Sequence, residues 1–189
     1  MARRLAPALA LTALAGCASF SEAPPPPAAP PPVASPPLAV HFTGSEQATF
    51  DWGLGPEEIP ESGLAAAARD AIWASGWVKE TREAGFGRML KLDVAHRHKD
   101  TLTLVSLFTV LLYPTREDEH VELELSFLEV GRAKQTCARS ADVSTWHEAF
   151  LIFVAPFHWP GSMRRELARS LALSCLAEVL EKREAAGAQ

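Results

Sequence analysis

The chain has 189 residues, with 18 Lys and Arg against 23 Asp and Glu, a net charge of −5 and a pI near 5.7. That balance excludes the basic footprint by which a nucleic-acid-binding domain is recognised. With 48% apolar residues, the chain has the length and the material for one sizeable core.

The N-terminus runs Met1, Arg3, Arg4, then the apolar stretch Leu5 to Leu14 and the small residues Ala15 and Gly16. A basic start, a short apolar centre and small residues at the end form the pattern of a secretory signal. A membrane-spanning helix needs about 20 apolar residues; this run is shorter and contains Pro7. An ordinary cleaved signal would release a soluble protein. The ending Leu14-Ala15-Gly16-Cys17 resembles the lipobox of bacterial lipoproteins. That resemblance implies a signal peptide over 1–16, cleavage before Cys17, a diacylglycerol on its thiol and an acylated amino group. Ala18 and Ser19 follow in place of an Asp, which for a lipoprotein implies delivery to the outer membrane, facing the periplasm. Removing Arg3 and Arg4 leaves 16 basic residues against 23 acidic, a net charge near −7.

Residues 17–37 read as the lipidated cysteine and a Pro-rich tether, with nine prolines between Pro24 and Pro37. Proline fixes φ and has no backbone donor, so the stretch favours polyproline II. At about 3.1 Å per residue it spans about 45 Å as a spacer. A plain disordered linker, or a Pro-rich ligand for a partner domain, fits the same composition.

Residues 38–185 form a single α+β domain in this reading, and 186–189 a disordered tail. Leu38 to Phe42 and Ala48 to Trp52 are short strands. Leu64, Ala68, Ala71, Ile72 and Ser75 share one face of a helix over 61–75, and Gly76 suits the position after its end. A meander follows. Leu90, Leu92 and Val94 alternate with polar neighbours; residues 101–113, apolar on both faces, suit a covered central strand. Pro114 to Glu119 is a charged turn, Val121 to Phe127 alternates again, and 133–142 is a weaker strand. Thr145-x-x-Glu148 matches a capping box and starts a helix over 145–155. A last helix begins near Pro160 or Ser162 and runs to Arg183, burying Ala168, Leu171, Ala172, Cys175, Leu176, Val179 and Leu180.

This order is a two-layer α+β sandwich: an antiparallel sheet of about four strands, one helix before the meander and two after it. The element order is similar to that of small envelope lipoproteins, including the lipopolysaccharide-assembly lipoprotein that plugs an outer-membrane barrel. No sequence motif carries that second resemblance, and fold does not fix function.

Candidate sites are few. Cys137 and Cys175 can meet between the last strand and the last helix, as a disulfide in an oxidising compartment or as two buried thiols. His96 and His98 read as an exposed turn. His120 belongs to the next turn at the opposite end of the meander, so a metal shared by all three is not expected. His147-Glu148 lacks the second histidine of a zinc-protease motif, since residue 151 is Leu. Neither a catalytic residue nor a metal or cofactor site is expected, and Glu57, Glu58 and Glu61 read as solvated. Phe150, Phe153, Phe157 and Trp159 lie in an apolar run too short to span a bilayer. They pack in the core, enter a membrane interface, or dock a partner, with Arg164, Arg165 and Arg169 close behind. Three functions stay open: a lipid-anchored envelope adaptor with a membrane and a protein as its partners; a module for lipid or a small apolar ligand, lined by Phe108, Val110 and Phe153; and a hydrolase, which needs a Ser, His and Asp within reach.

Overall fold

The computed structural model describes residues 16–21, 37–51, 56–60, 62–81, 87–100, 115–148 and 160–187. In chain order the elements are β1 (Gly16–Ser21), β2 (Leu38–Asp51), β3 (Pro56–Ile59), α1 (Leu64–Ala74), β4 (Val78–Glu80), β5 (Arg88–Asp100), β6 (Thr115–Glu129), β7 (Gln135–Glu148) and α2 (Pro160–Gly187).

The strands form one sheet in the order β1-β7-β6-β5-β2-β3, with β4 also pairing β2. It is mixed. β2 runs parallel to β4 and β5, and every other pair is antiparallel. A parallel neighbour requires a crossover, and α1 lies within the one that carries the chain from β2 to β5. The α+β class therefore holds, while the described residues form seven strands of a mixed sheet where about four, all antiparallel, were expected.

Both described helices lie on one face. Along β5 the residues Leu90, Leu92 and Val94 are buried; along β6 Val121, Leu123, Leu125 and Phe127 are buried. They meet Leu64, Ala68 and Ile72 of α1 and Leu167, Leu171, Cys175, Leu176 and Val179 of α2 in one core. Burying one leucine contributes about 2 kcal/mol over leaving it in water, so these apolar stripes drive the layering. The face away from the helices carries polar and charged side chains such as Ser45, Lys91, Asp93, Glu122 and Glu124.

α1 closes at Gly76, whose φ of 72° is a left-handed conformation that suits glycine. Its start has no local side-chain cap. Glu46 of β2 serves instead, accepting hydrogen bonds from Ser62 N (2.6 Å) and Ala65 N (2.9 Å). A carboxylate there satisfies free N–H groups and meets the positive helix end.

Several boundaries differ from the sequence reading. The two short strands at 38–42 and 48–52 are one strand, β2. The turns expected at His96-Arg97-His98 and at residues 115–119 are strand, because β5 and β6 pair from Arg88↔Glu129 to Asp100↔Glu117. The central strand expected at 101–113 lies outside the described residues. β5 and β6, which flank it in the chain, pair directly with each other. Residues 145–148 belong to β7, not to a helix; Thr145 is buried, opposite Glu117. The remainder of the expected helix, 149–155, lies outside the described residues. The last helix continues to Gly187.

Candidate functional site

β1 carries Cys17. The ladder pairs Cys17 with His147 of β7, and His147 with Thr115 of β6. Among the described strands Cys17 thus stands in an edge strand, at the end of the sheet where β5 stops and β6 begins.

On the helix side of that end lies a cluster of charge. His96 and His98 keep the parity of Leu90, Leu92 and Val94, and Glu117 and Glu119 keep that of Val121 and Leu123, so all four point under the helices. Glu119 is 1% exposed and His96 3%. His96 Nε2 lies 3.0 Å from Glu119 Oε2. His98 Nδ1 is 3.3 Å from Glu119 Oε1, and its Nε2 is 3.7 Å from Glu117 Oε2. Arg164, from the first turns of α2, donates to Glu119 Oε1. Burial pushes the Glu119 carboxyl up, but the bonds from His96 and His98 and the charge of Arg164 outweigh it and hold it at about 2. It is a carboxylate at any physiological pH.

The donor atoms of His98, Glu117 and Glu119 lie within 4.8 Å of one another, a spacing that a metal ion can bridge. Arg164 already places a fixed positive charge on Glu119, where a second cation would be repelled. The arrangement acts as a charge-compensated polar core joining β5, β6 and α2.

His120 was expected to be separated from His96 and His98 by the length of a strand. It is instead the direct neighbour of Arg97, at the same end, and what separates it is the sheet itself. On the open face it meets Asp142 (2.6 Å) and Glu122 (3.3 Å). The hydrogen bond to Asp142 raises its pKa above the ordinary value, burial opposing. With carboxylates on both ring nitrogens, it has none left for a hydroxyl nucleophile.

Cys137 of β7 and Cys175 of α2 are joined, with S–S 2.13 Å and Cα–Cα 5.3 Å. Phe150, Phe153, Phe157 and Trp159 lie outside the described residues, as do Phe108 and Val110; they fall between β7 and α2, and between β5 and β6. Of the arginines behind them, Arg165 donates to Gly161 O (3.0 Å) and Arg169 lies 3.6 Å from Glu166. Trp73 meets Phe42 edge to face at 5.4 Å beside the core. Glu57 and Glu58 are exposed.

Concavities lie on both sides of the sheet among the described residues. One, about 510 Å³, lies over the open face beside Ser45, Gln47, Asp93, Glu122 and Ser140. The other, about 660 Å³, lies by α1 beside Phe42, Arg69 and Trp73. No described helix is long and apolar enough to cross a membrane.

The polar cluster was missed because polar residues were read as turn. The parity along β5 and β6 was the signal that could have found it.

No family model and no curated protein matches the chain. Among solved structures it is similar to rare lipoprotein B from Shewanella oneidensis, at 14% identity over 77% of this chain and 98% of that one, with a TM-score of 0.44. It is also similar to a PelC dodecamer from Paraburkholderia phytofirmans, at 14% identity over 87% of this chain and 94% of that one, with a TM-score of 0.28. At those scores neither similarity carries a family or a function to this chain.

Proposed function

We propose that the chain is a lipoprotein of the bacterial outer membrane whose α+β domain works without chemistry, as an envelope adaptor or assembly accessory. The observation that carries this reading is Leu14-Ala15-Gly16-Cys17 behind a basic and apolar start. Diacylglycerol on Cys17 supplies two acyl chains, and buried methylenes contribute about 0.8 kcal/mol each, so the anchor is effectively permanent. Confinement to a surface raises the effective concentration of the domain for a partner in the same membrane. The net charge near −7 after processing argues against a nucleic-acid partner.

Fractionation of cells carrying the wild-type or the Cys17→Ser chain tests the anchor. Wild type is expected in the outer membrane and the variant in the soluble periplasmic fraction. Identical partition of the two would overturn the anchor. Cross-linking in intact cells then tests the adaptor role: the reading expects one envelope protein captured by wild type and lost with Cys17→Ser.

A further inference from the structure

β2 has two partners on the edge away from β5, and they leave a gap between them. β4 pairs Leu38 to Val40, and β3 pairs Ala48 to Asp51. Among the described strands none pairs residues 41–47 on that edge. At about 3.3 Å per residue the gap is about 23 Å long.

The backbone in the gap is aimed outward at alternate residues. Leu38 N donates to Trp77 O (3.0 Å), and Val40 O accepts from Thr81 N (2.9 Å). Strand alternation carries that direction on to Phe42, Gly44 and Glu46. Their outward N–H and C=O groups meet no backbone partner among the described residues.

The concavity by α1 lies against this stretch. Phe42, Gly44 and Glu46 line it from the strand, and Gly63, Ala65 and Ala66 from the helix side. It is a groove between a strand edge and a helix. Gly44 keeps its middle open, since a Cβ there would stand 3.2 Å from the Phe42 ring. Glycine inside a strand marks a place where another backbone can approach closely. Toward β4, Phe42 and Trp73, half-buried and edge to face, offer an aromatic surface. Exposed Asp70 and Glu80 outnumber Arg69 on the rim, while the Glu46 carboxylate is engaged at the start of α1.

An open strand edge recognises an extended backbone. This one is closed at both ends by β3 and β4, so a long strand cannot lie in it. β2 of a second copy has 14 residues, about 46 Å and about twice the gap. A Pro-rich segment such as 24–37 lacks the donors for a ladder. What fits is a short extended segment with an apolar side chain for the aromatic surface and a Lys or Arg for the acidic rim.

We propose that the gap in β2 between β4 and β3 is a peptide-binding slot. It takes a short extended segment of a partner protein as an added strand, with an apolar side chain on Phe42 and Trp73 and a basic one beside Asp70 and Glu80. The slot gives a partner class to the adaptor reading above, on which it rests for its place in the envelope, and it does not need the lipid.

Peptide arrays test it. The full-length chain, extracted from membranes in mild detergent, is applied to immobilised heptapeptides in which apolar and polar residues alternate and one polar position is Lys, Glu or Ser. Lys peptides are expected to bind, severalfold more strongly than Glu peptides, and Glu80→Lys is expected to reverse that order. Ala66→Arg, at an exposed position of α1, fills the groove and should abolish binding. N-methylation of the bound peptide at alternate amides should abolish it in one of the two registers, with the chain itself unaltered. In the free chain the amide of Gly44 should exchange fast and that of Ser45, which faces β5, slowly; the peptide should slow Gly44. Absence of binding by every peptide, or binding that survives both Ala66→Arg and N-methylation, would overturn the slot. So would a Gly44 amide already protected in the free chain, whether by its own chain or by a second copy. Each of these results leaves the anchor at Cys17 standing. Peptide binding by a wild-type chain that does not partition to the outer membrane would overturn the anchor and leave the slot.

Discussion

Two rungs across the same three strands close the gap beneath the helices with opposite chemistry. Leu92, Leu125 and Cys137 form one rung, apolar and tied to α2 by the bond to Cys175. His98, Glu119 and Val143 form the other, about six residues along, where charge replaces hydrocarbon and Arg164 replaces the covalent tie. The first rung is held by burial and a cross-link, both indifferent to pH. The second depends on matched charges out of water, where losing one partner costs more than the pair contributes. The charged rung lies toward Cys17, the apolar one toward the turn at Gly131.

Breaking the covalent tie is expected to have the largest effect. Cys137 and Cys175 are 38 residues apart, and closing such a loop stabilises by about 4 kcal/mol on the chain-entropy account. Reduction, or Cys175→Ser, should lower the urea midpoint accordingly, with the loss unchanged between pH 5 and 8.

Glu119→Gln comes next. It leaves Arg164 and two histidines facing an uncharged amide, and a loss of about 3 kcal/mol is expected. The sign of its pH dependence follows from the depressed carboxyl. The charged form stabilises fully above the unfolded value of 4.5, and this is lost as pH falls toward about 2. Denaturation of wild type and variant at stepped pH should therefore converge on acidification through that window. A constant difference would assign the loss to shape and not to charge.

The smallest effect belongs to His120 on the open face. Its raised pKa stabilises below the ordinary histidine value of 6.5 and is lost as pH rises through the folded value. Its side chain is 36% exposed, so the contribution is well under about 1 kcal/mol. An NMR titration should show its imidazole titrating above 6.5, and Asp142→Asn should bring it back.

The contrast between the rungs also explains what the sequence disclosed. Hydrophobic parity made Leu90 to Val94 and Val121 to Phe127 legible as strands, and helical spacing did the same for α1 and α2. Reading stopped where the parity continued in polar residues. His96, His98, Glu117 and Glu119 occupy inward positions that a pattern of apolar residues does not mark. Thr145-x-x-Glu148 has the letters of a capping box, but the neighbouring strand provides Thr145 with a buried place opposite Glu117, and tertiary pairing overrides local preference. The parallel pairing of β2 with β5 was hidden because nothing in either strand names its partner. Cys17 reads as a lipid acceptor by resemblance alone. Its place in an edge strand was not legible, since Gly16 to Ser21 has no alternation to read.

The measurement closest to the central claim is the intact mass of the chain extracted from membranes. The account predicts a polypeptide that begins at Cys17 and is heavier than its sequence by a diacylglycerol and an amide-linked acyl chain. A chain that begins elsewhere, or one with an unmodified Cys17, would contradict it.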